Sequence, residues 1–107
     1  MNPGARKLLL AAGLAAACAL PGLAAAATHT VVIEGMKSVP ETLTVNKGDT
    51  VVWQNKDVVP HTVTAKGNFD SGDLAVGKSW RHVMTKAGTY DYFCNYHPGM
   101  KATVVVK

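Results

Sequence analysis

From Thr28 onward, apolar and polar residues alternate in short runs and do not recur every three or four positions. Leu43 and Val45 fall on one face of their run, and Val51 and Trp53 on one face of theirs. Tyr90, Tyr92 and Cys94 share a face in a third run. The runs are rich in Thr, Val, Ile, Tyr and Trp, which suit a pleated, half-buried surface. The pattern predicts strands over Thr30–Gly35, Thr42–Asn46, Thr50–Asn55, His61–Ala65, Ser79–Met84, Thr89–Cys94 and Ala102–Lys107. Turns are expected at Asn46–Asp49, Lys66–Asn68, Asp70–Asp73 and Lys86–Gly88. Seven short strands at this spacing imply an all-β, two-sheet sandwich or barrel. Trp53, Trp80, Tyr90 and Tyr92 are expected in its core. If the tyrosines face inward, the Cys94 thiol does too, at the end of its strand.

The first 27 residues read differently. Arg6 and Lys7 precede a 13-residue apolar run, Leu8 to Leu20, and Pro21-Gly22 breaks it before the small residues up to Ala27. A basic start, a short apolar centre and an A-x-A-like end predict a secretory signal peptide over 1–27, cleaved within a residue of Ala27. The run is shorter than the ~20 residues a bilayer span needs. Cys18 is a weaker candidate for lipid attachment, because Ala15 stands where such sites usually carry Leu. The expected product is a periplasmic domain, 28–107, with no membrane contact after cleavage.

Export changes the charge and cysteine arithmetic. Arg6 and Lys7 are two of the eleven basic residues; without them nine face seven acidic ones, a net charge of +2. That is not the clustered basic face of a nucleic-acid binder. Cys94 is left as the single cysteine of the mature chain, so no internal disulfide can staple a domain of marginal core size. A lone thiol in an oxidising compartment needs protection, and a bound metal would give it.

Cys94, His97 and Met100 follow one another at intervals of three. An ordinary turn and ordinary core residues would explain any one of them. All three together, in a chain with no second mature cysteine, point to a metal. Thiolate, imidazole and thioether suit copper and suit calcium or magnesium poorly. Structural zinc, the other alternative, rarely uses Met. A second histidine is required for the electron-transfer copper set. His61, at a loop-to-strand junction, is the preferred candidate over His29 at the mature terminus and His82 in mid-strand.

The chain at this point resembles the cupredoxins, the small blue-copper proteins. The resemblance rests on Gly48-Asp49-Thr50-Val51-Val52-Trp53-Gln54-Asn55, on Pro60-His61, on Gly88-Thr89-Tyr90-Asp91-Tyr92-Phe93-Cys94, and on His97-Pro98, Met100 and Val104-Val105-Val106. The short Cys-x2-His-x2-Met spacing is similar to the amicyanin branch; plastocyanins and pseudoazurins place the Met later. The resemblance implies a Greek-key sandwich, read here as seven to eight strands, with copper at one end. It further implies that His61, Cys94 and His97 are equatorial ligands, Met100 a long axial one, and that His97 reaches the surface through an apolar patch. It also implies that His97 can take up a proton and leave Cu(I).

Three positions depart from the family pattern. Thr62 and Asn95 look like an exchanged Asn and Ser/Thr pair, expected to hydrogen-bond across their loops. Tyr96 replaces a Pro, so its N–H is expected to donate to the Cys94 sulfur. The implied function is an electron shuttle. Four protein ligands would leave no open position for substrate, so no enzyme is expected. A monomer is expected to meet redox partners such as a dehydrogenase or a c-type cytochrome. Lys37, Lys56, Lys66 and Lys101 are candidates to flank the copper end and to favour an acidic partner. A periplasmic copper carrier or scavenger would use the same ligands, but such proteins often expose Met- or His-rich tracts, and this mature chain has only Met36, Met84 and Met100.

Overall fold

A computed structural model describes residues 25–107; the expected signal peptide, apart from Ala25 to Ala27, and Cys18 lie outside it. Among the described residues nine strands form: β1 Thr28–Glu34, β2 Lys37–Val39, β3 Thr42–Val45, β4 Thr50–Asn55, β5 Thr64–Ala65, β6 Phe69–Asp70, β7 Ser79–Val83, β8 Gly88–Cys94 and β9 His97–Val106. The all-β sandwich is as expected, but the seven to eight strands become nine. Strands β2 and β6 have three and two residues, too few for an alternating pattern to register. Strand β9 begins at His97, five residues before the expected Ala102, because Pro98-Gly99 reads as a turn yet is carried within the strand. His61 makes only an isolated bridge, to Leu74, and does not open a strand.

The strands divide into two sheets, ordered β2-β1-β4-β7 and β3-β9-β8-β5-β6. Two pairs, β1 with β4 and β3 with β9, are parallel. Period-2 alternation fills the space between the sheets: β4 buries Val51, Trp53 and Asn55 and leaves the residues between them half-buried. Val31, Ile33, Val63, Val104 and Val106 complete the core around Trp53. Trp53 meets Trp80 and Tyr92 at ring-centroid distances of 5.4 and 5.6 Å, the latter edge-on. Tyr92 and Cys94 are both buried, so the thiol does point inward at the end of β8. Trp80 and Tyr90 are half-buried and pack against the core from its margin.

Candidate metal centre

At one end of the sandwich the loop after β4 meets the β8–β9 hairpin. The loop is built by Asn55, the last inward residue of β4. A buried amide must be bonded, and Asn55 donates to the carbonyls of Val59 (3.0 Å) and Leu74 (2.9 Å) while its Oδ1 accepts the N–H of Asp57 at 2.9 Å. Leu74 in turn exchanges both backbone hydrogen bonds with His61, at 3.1 and 2.8 Å. The circuit closes through a side chain: Asp57 Oδ2 lies 2.8 Å from His61 Nε2. A carboxylate only accepts, so Nε2 carries the proton and donates it. Asp57 also accepts from Met36 N–H (3.0 Å) and Val58 N–H (2.9 Å). These donors, the His61 ring first, hold its carboxyl down at about 2.

With Nε2 occupied, His61 turns Nδ1 toward Cys94 Sγ at 3.6 Å, and both side chains are fully buried. His97 stands beside them, its ring centroid 5.4 Å from that of His61 and its plane tilted by 59°. It is half-buried, between exposed Tyr96 and Pro98. Cys94 pairs with His97 across the two-residue turn Asn95-Tyr96, and Phe93 pairs with Lys101. Pro98, Gly99 and Met100 therefore have no counterparts on β8, and the extra length bulges beside the site. Met100 is half-buried against the core and lines a surface recess with Met36, Lys37, Ser38, Glu41, Gly99 and Lys101. Among the described residues no three His, Cys, Asp or Glu side chains close into a cluster unaided. What is packed in place is the His61–Cys94 pair, with His97 and Met100 on the adjoining hairpin.

The donor set fits a soft or borderline metal: one thiol, two imidazoles and one thioether, and among the described residues no carboxylate bonds the sulfur. Asp57 is near, but it is spent on His61, Met36 and Val58. Sequence reasoning missed Asp57, Asn55 and the Leu74 backbone. Only Asn55 had left a signal, a polar residue continuing the inward series Val51, Trp53.

The departures resolve unevenly. Thr62 and Asn95 do join the loops, but the donor is the Asn95 backbone N–H, 2.9 Å from Thr62 Oγ1. The hydrogen bond to Cys94 Sγ comes from Thr62 N–H at 3.4 Å, not from Tyr96 as expected. Tyr96 sits at the turn tip, and its hydroxyl donates instead to Asp73. That contact pushes the Tyr96 hydroxyl above its ordinary range. The rejected histidines lie elsewhere. His82 stacks on Trp80 at 5.3 Å. His29 lies in β1 opposite Val51, with Nε2 2.9 Å from Asp49 Oδ2. Of the four lysines, Lys37 and Lys101 line the recess beside Met100, and Lys66 lies over the Phe93 ring at 5.9 Å.

The chain is similar in sequence and in fold to known proteins. Amicyanin from Paracoccus versutus is 36% identical over 81 residues, covering 70% of this chain and 61% of its own length. Amicyanin from Paracoccus denitrificans is 36% identical over 85 residues, with 70% and 62% covered. The chain thus spans about three fifths of the length of these relatives. Among solved structures, a Cu(I) form of an amicyanin variant superposes with a TM-score of 0.71 at 32% identity, covering 75% of this chain and 82% of that one. A purple cupredoxin from Nitrosopumilus maritimus superposes at 0.70 and 30% identity, covering 74% and 99%. The Cupredoxin-like domain family matches residues 7–106, and with that match over nearly the whole sequence the chain belongs to the cupredoxin-like family.

Proposed function

We propose that this chain is an exported type 1 blue copper protein that carries single electrons between redox partners. The observation that carries the reading is the buried pair of His61 Nδ1 and Cys94 Sγ, 3.6 Å apart at the end of a sandwich. His61, Cys94 and His97 would be the strong ligands of the ion, with Met100 as the weaker fourth donor. Bound copper supplies the one-electron Cu(II)/Cu(I) couple. The chain's own part is to keep these side chains where both oxidation states fit, so that little must rearrange. His61 and Cys94 are sealed from water, while half-buried His97, between exposed Tyr96 and Pro98 in the chain, is the route outward. This is the build of a carrier and not of an enzyme. Partners of the kind amicyanins meet, a dehydrogenase or a c-type cytochrome, belong to the proposal, as do a monomeric state and a periplasmic location.

Removal of the signal peptide over 1–27, with cleavage within a residue of Ala27, belongs to the same proposal.

The test is titration of the purified apo-protein with Cu(II). One equivalent is expected to raise an intense blue thiolate-to-copper band, and Cys94→Ser is expected to lose it entirely. A band that is absent from the parent, or that survives Cys94→Ser, sinks the reading.

A further inference from the structure

A carboxylate on the far side of a metal-facing histidine is a lever on the metal. We propose that Asp57 is a positioning residue for the centre: it accepts the Nε2–H of His61, holds Nδ1 toward Cys94, and biases the site toward Cu(II), lowering the reduction potential. The inference rests on the copper reading above.

Three observations carry it. First, the contact is short and dry: 2.8 Å, with the His61 side chain fully buried and Asp57 9% exposed. Buried electrostatic contacts act with little solvent screening. Second, Asp57 has no freedom to look elsewhere. Its amide is fixed by Asn55 and its two oxygens take three N–H groups, from Val58, Met36 and His61. One of these donors, Met36, has φ +62°, the left-handed region that a residue with a side chain rarely enters. The turn keeps that conformation where its N–H meets the carboxylate. Third, Asp57 is the one hydrogen-bond partner of His61 Nε2 among the described residues, so the ring proton has this single acceptor. The physical consequence follows from charge. An anion hydrogen-bonded to the imidazole raises its basicity and donor strength, which favours the more highly charged metal state.

The experiment compares reduction potentials and Cu(II) and Cu(I) affinities of the copper-loaded parent with Asp57→Asn, Asp57→Glu and Asp49→Asn. Asn keeps the size and removes the charge. It is expected to weaken Cu(II) relative to Cu(I) about tenfold, the low end of what such supporting contacts are worth. For one electron that is a rise of ~59 mV. Asp57→Glu keeps the charge and is expected to recover most of the shift. Asp49→Asn removes an equal charge at the opposite end and is expected to leave the potential in place. A second readout needs no variant: 15N NMR of the apo-protein is expected to show the His61 proton on Nε2. An unmoved potential in Asp57→Asn, an equal shift in Asp49→Asn, or a proton on Nδ1 would overturn the inference. A blue parent whose potential ignores Asp57 sinks the inference alone; a parent that gives no blue band sinks the copper reading and the inference together.

Discussion

At the start of β4, Asp49 holds His29 at 2.9 Å; just beyond its end, Asp57 holds His61 at 2.8 Å. The two pairs are built alike. Each carboxylate accepts one imidazole and two backbone N–H groups, Ala27 and Asn46 for Asp49, Met36 and Val58 for Asp57. Each is held down at about 2, mainly by those hydrogen bonds. The difference lies beyond the histidine. His29 is 28% exposed and belongs to a strand, so its pair clips β1 to the turn before β4. His61 is fully buried, and its other nitrogen faces a thiol. An Asp–His pair is thus a structural clip by default, and it becomes part of a site through what the second nitrogen sees.

The contrast is broken most severely at Asn55. Its side chain ties the His61 loop to both Val59 and Leu74, whereas the His29 pair is held through Asp49 alone by Ala27 and Asn46. Asn55→Leu keeps the volume but leaves the Val59 carbonyl and the Asp57 N–H without partners, while the Leu74 carbonyl keeps only the His61 N–H. A loss of about 3 kcal/mol in apo-protein stability is expected from urea unfolding, since each orphaned buried group costs about 1–3 kcal/mol. Copper affinity should fall with it. A loss under about 1 kcal/mol would show that the circuit through Leu74 and Asp57 does not hold the loop.

Thr62→Val acts on the other wall of the centre and more mildly. It removes the acceptor of Asn95 N–H and one of the two partners of Thr64 Oγ1, 3.0 Å away; the other, Asp70, stays. About 1 kcal/mol of stability should be lost. The Thr62 N–H that reaches Cys94 Sγ is backbone and survives the change. The potential should therefore move less than it does on neutralising Asp57. A larger shift than in Asp57→Asn would mean that the loop-to-hairpin link, and not the carboxylate, sets the metal environment.

These residues also mark how far the sequence could be read. Alternation located β4 and β8 because each has six or seven residues with one face buried. It could not find β2 or β6, which are edge strands of three and two residues, too short for a repeated alternation. The candidate ligands were legible by chemical type and spacing, since thiol, imidazole and thioether at intervals of three have few other uses. Their supports were not. Asp57 lies in an irregular loop, where no period fixes a side chain, and its role depends on Met36, 21 positions away. The donor to the sulfur was misassigned for a related reason. Cys94 and His97 pair across a two-residue turn, which sets Tyr96 at the tip, while Thr62 approaches from a loop 32 positions earlier. Local spacing cannot report a contact made between loops.

The smallest effect at the metal end is expected from Asp49→Asn, and its value lies in that asymmetry. Asp49 is held at about 2, below the ordinary range near 4, by the N–H of Ala27, then by His29, then by the N–H of Asn46. A carboxyl lowered in the folded state contributes stability that is fully present above its unfolded value. That contribution is lost as pH falls through the folded one. The parent should therefore lose stability between roughly pH 4 and pH 2, and Asp49→Asn should lose less of it across that window because one of the two depressed carboxylates is gone. Acid unfolding followed by near-UV circular dichroism reads the slope. The same variant, loaded with copper at neutral pH, should keep the parent's blue band and potential. If its acid slope matched the parent's, Asp49 would not be the clip described. If its potential moved, the two ends of β4 would be coupled through the sheet, and the separation of a structural pair from a functional one would fail.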